Sequence, residues 1–202
     1  MLKVLVACEF SGVVRDAFAR LGHNAWSCDI LPSETEGNHI QGDVQQVLRD
    51  GWDLVIAHPP CTYLCNSGVC HLETDPSRWA KFQEAANFFN TFLSLRCAVA
   101  VENPIQHGYA RAMIPKQSQI IQPWQFGHGE TKATCLWLRG LPLLRPTCIV
   151  SGRVQRSHWE SPSPERWKNR SRTYLGIGKA MAEQWGNYLL SKKQRRNRLR
   201  VS

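Results

Sequence analysis

The stretch Trp52–Gly68, WDLVIAHPPCTYLCNSG, decides the fold. Its apolar run Leu54, Val55, Ile56 and Ala57 has the composition of a buried strand. His58-Pro59-Pro60 ends that strand, because proline cannot donate to a ladder and punctuates the chain. Cys61 follows at once. Open α/β sheets bind their ligands in a crevice outside the carboxyl ends of the strands. A thiol held there by two rigid residues is therefore a candidate reactive group, and the rest of the chain is read by asking what it faces.

Working outward, Lys3–Ala7 (KVLVA) reads as a first strand and VVRDAFARLGH as a helix, with Val13, Ala17, Phe18 and Leu21 on one face and Gly22 as its stop. Asn24–Ile30 is a second strand with Asp29 at its carboxyl end, Pro32–Ile40 a polar loop, and Gly42-Asp43-Val44 the start of a short helix. Beyond the central stretch, Asp75–Leu95 carries an Asp/Ser cap region, a proline in the first turn and helical apolar spacing. Ala98–Val101 is a further strand, stopped by Glu102-Asn103-Pro104. Gln119–Trp124 and Ala133–Leu138 are two more strand candidates around the turn FGHGET. Residues 141–173, rich in proline, serine, tryptophan and arginine, read as an irregular excursion, and Tyr174–Leu190 as a closing helix. Strands alternating with helices predict a doubly wound, mostly parallel sheet. A chain of 202 residues buries one sizeable core, so 1–140 is expected as the core, 141–173 as an insert, 174–191 as its closing helix and 192–202 as a disordered basic tail.

Charge is uneven. Residues 151–202 hold 13 Lys and Arg against 3 Asp and Glu, whereas residues 1–150 hold 12 and 13. The basic end, six of whose charges lie in KKQRRNRLR (Lys192–Arg200), is read as a phosphate-binding arm or as a solvated terminus. In the insert, Arg153, Arg156, His158, Trp159, Arg166, Trp167, Lys168, Arg170 and Arg172 mix cations with aromatics, which suits phosphate contact and base stacking. The alternative is that Trp159 and Trp167 cover the sheet edge. No apolar run approaches the ~20 residues of a membrane span, and MLKVLVACEF enters a strand pattern without a separate signal-peptide core. The eight cysteines are then free thiols of a reducing compartment. Cys61, Cys65, Cys70 and His71 lack the C-x2-C pair of zinc sites, so no metal is expected. His58 and His71 are read as structural, and Cys65 and Cys70 as packing or loop residues.

Two strand ends thus carry reactive side chains, Cys61 and Glu102, 41 residues apart on strands separated by one helix. A thiolate is a strong nucleophile, and an adjacent carboxylic acid can give or take a proton. The pair suits attack on an electron-poor ring carbon while a ring nitrogen is protonated.

These residues carry a resemblance to the DNA cytosine C5-methyltransferases, in the short form found in phages and prophages. The family loop Pro-Pro-Cys-Gln-x-Phe-Ser-x-x-Gly is matched by PPCTYLCNSG, with Pro59, Pro60, Cys61 and Gly68 in register and Thr62, Leu64 and Cys65 replacing Gln, Phe and Ser. The family's Glu-Asn-Val is similar to Glu102-Asn103-Pro104. Its Gly-x-Pro-Gln-x-Arg-x-Arg resembles GHGETKAT, with Glu130, Lys132 and Thr134 standing for the Gln and the two Arg. The final segment resembles the family's last cofactor motif through Gly176.

The resemblance implies a seven-stranded Rossmann-like sheet that binds S-adenosylmethionine. Cys61 would attack C6 of the pyrimidine, Glu102 would hold N3, and Lys132 would hold the base or its phosphate. Phe10, Ser11, Gly12 and Pro59 would approach the cofactor, Asp29 its ribose hydroxyls and Asp43 its adenine amino group. DNA, single- or double-stranded, is the implied partner, with Arg153, Arg156, Arg166, Lys168, Arg170 and Arg172 contacting it. A base in a duplex would have to be flipped out. The implied location is the cytoplasm of a bacterial or phage-infected cell, with no membrane or metal partner. Only the insert occupies the place of the family's large target-recognition domain, which implies low or short sequence specificity. The same chemistry on a free nucleotide or RNA, and a catalytically lapsed nucleic-acid binder, are the alternative readings.

Overall fold

The structure, a computed structural model, describes residues 1–66 and 69–201, the side chains of Glu73, His158, Asn197, Arg200 and Val201 excepted. Gly68 of the family loop and the His158 side chain therefore lie outside the described residues. Strands β1 (Lys3–Ala7), β2 (Asn24–Asp29), β3 (His39–Gln41), β4 (Leu54–Ala57), β5 (Ala98–Pro104), β6 (Gln119–Ile121) and β7 (Thr134–Arg139) form one sheet in the order β3-β2-β1-β4-β5-β7-β6. β1 is parallel to β2 and β4, and β4 to β5. β7 runs antiparallel to both β5 and β6. This is the expected doubly wound, mostly parallel, Rossmann-like seven-stranded sheet, with β7 its one reversed member.

Alternation along the strands divides two cores. Leu5, Ala7, Val55, Ala57, Val99 and Val101 pack with Phe82, Ala86, Phe89 and Phe92 of α3 (Ser77–Leu93), which follows the short α2 (Cys70–Thr74). Val4, Val6, Leu54, Ile56, Ala100 and Leu136 pack on the other face. Their partners are Val14 and Phe18 of α1 (Val13–Arg20), and Ile177, Met181 and Trp185 of α7 (Leu175–Val201). Period-2 patterning in strands buried on both faces is what a covered parallel sheet requires.

Several elements differ from the sequence reading. His39–Gln41 is an edge strand where a loop is predicted; three mostly polar residues show no apolar alternation, and backbone pairing to Ser27–Asp29 holds them. Gln119–Trp124 is a strand only to Ile121, because Pro123 opens a 3-10 turn. α4 (Gly108–Met113) lies in a segment read as a plain connection, and its cap is His107, whose Nδ1 accepts from the Ala110 N–H at 3.1 Å. The insert folds two short helices, α5 (Arg156–Trp159) and α6 (Arg166–Ser171). The basic residues expected as a disordered tail continue α7: they contain no proline or glycine, and Lys193 pairs with Asp53 at 3.1 Å. Among the described residues, no helix is long and apolar enough to cross a membrane, and no group of three or more His, Cys, Asp or Glu could hold a metal ion.

Candidate active site

The chain crosses from one half of the sheet to the other between β1 and β4, and the crevice lies at the carboxyl ends of these strands. Register aligns the residues there. Ala7 pairs with Ala57 and Ala57 with Val101, so Cys8, His58 and Glu102 fall side by side at the next position of three neighbouring strands.

Past β1 the chain turns sharply. Cys8 has φ +57°, and its N–H and that of Glu9 both donate to the Cys28 carbonyl. The buried Glu9 carboxylate accepts from the N–H groups of Val14 (2.7 Å) and Arg15 (3.2 Å), satisfying the start of α1. Burial pushes the Glu9 carboxyl up, against the opposing pull of His58 and those two donors. At the end of β2, Asp29 accepts from the Leu31 N–H at 2.9 Å, and burial raises its carboxyl too. Asp43 caps the 3-10 turn Val44–Gln46, accepting from the Gln45 N–H at 2.9 Å.

The loop that carries Cys61 is held at several points. Asn103 donates from Nδ2 to the Pro59 carbonyl at 2.9 Å, which ties the loop to the end of β5. The Cys61 carbonyl accepts from the N–H groups of Leu64 and Cys65, closing a turn around the fully buried Leu64. His107 donates its N–H to the Leu64 carbonyl and its Nε2–H to the Tyr63 carbonyl at 2.9 Å. Within this turn the Cys61 thiol hydrogen-bonds to Cys65. That bond, burial and the nearby Glu102 charge all push the Cys61 thiol far above its ordinary range.

Glu102 meets His58: Oε2 lies 3.0 Å from Nδ1, in a pair whose side chains are 18% and 8% exposed. Burial alone would raise the Glu102 carboxyl, but the hydrogen bond and charge of His58, with Lys132, hold it below its ordinary value. Burial would lower His58, and Glu102 and Glu9 together raise it. Both directions favour an ionised carboxylate facing an imidazolium.

All of this opens on one cavity of about 430 Å³. Of the residues singled out from the sequence, Cys61, Glu102, Lys132, Phe10, Ser11, Asp29, Asp43, Pro59 and Arg170 line it. Gly12 does not; its φ of +72° and lack of a side chain serve Arg15 and Thr35, which a Cβ would strike at 2.5 and 2.2 Å. Gly176 sits against the Phe126 carbonyl, away from the cavity. Lys132 donates from Nζ to the Arg170 carbonyl at 2.6 Å, joining the wall before β7 to α6.

Unforeseen in the sequence is that the insert roofs this cavity: Trp167, Ser171 and Thr173 line it, and the Trp167 ring lies 6.2 Å from that of Phe10. The other insert cations are partly engaged. Arg172 pairs with Glu34, Lys168 with Glu165 at 3.2 Å, and Arg153 covers the Trp124 ring at 4.0 Å. Arg156 and Arg172 line a second cavity of about 560 Å³, beside Trp159, Glu130 and Tyr174. His58 was also missed. Its place immediately before the two prolines marks it in the sequence as a strand-end residue, whereas its neighbour is set by the pairing of Ala57 with Val101.

No protein-family model and no curated protein matches the chain. Among solved structures, it is similar to an E. coli prophage-encoded protein described as a DNA modification methyltransferase (17% identity, TM-score 0.47) and to the Entamoeba histolytica methyltransferase EhMeth (15% identity, TM-score 0.45). The alignments cover 80% and 81% of this chain but only 56% and 61% of those two. The chain thus spans less than two thirds of the length of either.

Proposed function

We propose that the chain is an S-adenosylmethionine-dependent methyltransferase that acts on C5 of cytosine in DNA through a covalent Cys61 adduct at C6. The observation that supports this reading best is that the Cys61 thiol and the Glu102 carboxylate share one cavity, which continues past Pro59 to Asp29, Asp43 and the turn after β1.

The cavity residues fit the cofactor. Asp29 and Asp43 offer carboxylates to ribose hydroxyls and an adenine amino group. Phe10, Ile30 and Val44 offer apolar wall, and Asn103 presents a buried Oδ1 that has no partner among the described residues. When bound, S-adenosylmethionine supplies an electrophilic methyl group. The chain does the rest. Cys61 adds to C6 as its thiol proton passes by way of the Glu102 carboxylate to N3, and the C5–C6 electron pair shifts to give an enamine that is nucleophilic at C5. Glu102 then accepts from that N3–H and from the exocyclic amine, which stabilises the electron-rich ring. After methylation, loss of the C5 proton to solvent and expulsion of the thiolate, which recovers its proton from N3 by way of Glu102, restore the double bond. Since the thiol is held protonated in the free protein, it must be activated as the base arrives.

DNA is favoured as substrate by the exposed insert cations Arg153, Arg156 and Arg170, the last of them lining the cavity itself, charges that a free nucleotide does not need. Direct base reading by so short an insert supports only short or loose sequence preference.

The test is incubation with labelled cofactor and DNA, RNA or a free cytidine nucleotide, and with an oligonucleotide carrying 5-fluorocytosine. The wild type is expected to label DNA and to form a covalent adduct with the fluorinated strand, and Cys61→Ser to form none. An adduct with Cys61→Ser, or labelling of the exocyclic nitrogen instead of C5, would overturn the reading.

A further inference from the structure

We propose that His58 is a positioning residue of this site, an imidazole that fixes the Glu102 carboxylate so that Oε2 is engaged by the ring and Oε1 is turned to the substrate. The proposal rests on the reading of Glu102 as the group that meets the substrate and adds the residue that orients it.

Sheet register produces the contact. His58 and Glu102 are the next residues after the paired Ala57 and Val101, and Nδ1 lies 3.0 Å from Oε2. The His58 main chain is fixed independently, its N–H donating to the Ala7 carbonyl at 2.9 Å. Among the described residues no hydrogen bond engages Oε1, although Glu102 lines the cavity. With one oxygen held, a side chain with three torsions is restricted to a narrow orientation, and restricting a reacting group in this way is what raises effective concentration.

A purely structural histidine would leave a different signature. Buried imidazoles normally satisfy both nitrogens or expose one to water. His58 Nε2 is buried without a partner among the described residues, and the ring lines the cavity. The charged groups that face it are Glu102 from β5, Glu9 from the β1–α1 turn, Asp29 from the end of β2 and Lys132 from the segment before β7. Three acidic side chains against one ammonium favour the imidazolium, whose Nδ1–H is the donor an ionised Glu102 requires. The ring therefore stands between the turn that starts the cofactor lobe and the carboxylate of the substrate lobe.

Two measurements on the full chain test this. The first needs no turnover: ¹⁵N-histidine NMR of wild type and Glu102→Gln. The expected result is a His58 protonated on Nδ1 at neutral pH, with a titration midpoint that is lower in Glu102→Gln than in the wild type. An Nδ1 without a proton, or a midpoint unmoved by Glu102→Gln, would overturn the proposal. The second is the pH profile of methyl transfer by His58→Gln, which can still donate a hydrogen bond, and His58→Ala, which cannot. His58→Ala is expected to lose roughly 10²-fold in kcat with little change in KM, and its acid limb should move to higher pH, since Glu102 loses its cation. His58→Gln should recover part of kcat but not the position of the limb. Loss of folded protein with an unchanged limb would reduce His58 to a structural residue. Failure of the wild type to trap 5-fluorocytosine, with the NMR coupling intact, would discard the C5 reading and leave the His58 assignment supported.

Discussion

Arg172 and Glu34 clasp the insert to the sheet: Nε donates to Oε2 at 2.9 Å and a terminal nitrogen to Oε1 at 2.5 Å, across 138 residues of chain. This bidentate pair pins the end of α6 to the loop after β2, beside the Phe10–Trp167 contact over the cavity. Both side chains are about a third exposed, so solvent screening holds the pair's contribution to folding to roughly 0–1 kcal/mol. Its larger consequence is for what lies beneath the roof.

Arg172→Ala should therefore leave the melting temperature nearly unchanged and weaken binding of S-adenosylmethionine by roughly threefold to tenfold, equivalent to about 1 kcal/mol. Isothermal titration of the wild type, Arg172→Ala and Glu34→Ala decides it. Equal losses in the two variants, not additive in the double variant, are expected of one clasp. Unchanged affinity in both would mean that α6 stays seated without it.

Gly12→Ala tests the turn that precedes α1. The substitution forces an L-residue to φ +72° and drives a Cβ onto Thr35 Oγ1 and the Arg15 guanidinium. Arg15 is itself buried, with hydrogen bonds to Ser27, Ser33, Thr35 and the Glu36 carbonyl, so it cannot retreat cheaply. A loss of about 1–3 kcal/mol in urea unfolding is expected. A neutral outcome would show that the loop after β2 yields freely.

This glycine also shows where sequence legibility ends. β1, β4 and β5 are apolar runs whose burial on both faces is written into their composition, and Cys61 follows directly as a strand-end residue; Glu102, read as the strand's stop, instead lies inside β5, because pairing with Leu136 of β7 carries the strand on to Pro104. Gly12 was equally visible, but its reason, a buried Arg15 crossing to a loop some twenty residues away, depends on packing that no local pattern carries. β3 was hidden because its three residues have no apolar signature and are defined by hydrogen bonds to β2. His58 was hidden for a related reason: only the pairing of Ala57 with Val101 tells which residue stands beside Glu102. Likewise, the insert's charges were legible, whereas the folding of Trp167 back over Phe10 was not.

Cys61 should be a slow thiol in the free protein. Its bond to Cys65, its burial and the Glu102 charge all favour the protonated form. Since the thiolate is the reactive species, iodoacetamide near pH 8 should modify the exposed Cys70 and Cys148 well before Cys61. Cys65→Ala removes the largest of the three causes and should speed alkylation of Cys61, read by peptide mass mapping against time. Faster labelling of Cys61 than of Cys148 in the wild type would contradict the buried, thiol-paired state.

The His58–Glu102 pair should also shape stability against pH, with a sign that the shifts fix. Glu102 is lower in the folded chain than in the unfolded one, so its contribution is present above the unfolded value of about 4.3 and is lost as pH falls through the folded value. His58 is raised, so its contribution is complete below the unfolded value of about 6.5 and is lost as pH rises through the folded value. The pair's full contribution therefore spans about pH 4.3–6.5 and declines on both sides. Glu9 and Asp29 work the other way: burial raises both, the folded chain binds their protons more tightly, and stability falls as pH climbs from their unfolded to their folded values. A raw stability curve mixes these opposing slopes. The difference in unfolding free energy between wild type and Glu102→Gln largely removes the Glu9 and Asp29 contributions. That difference should peak near pH 5–6 and shrink toward about pH 9 as His58 loses its proton. The same subtraction made in a His58→Gln background should lose the alkaline decline, because no imidazole remains to titrate. A difference curve that stays flat from about pH 4 to 9, or a decline that survives in His58→Gln, would show that the two side chains are not coupled in solution.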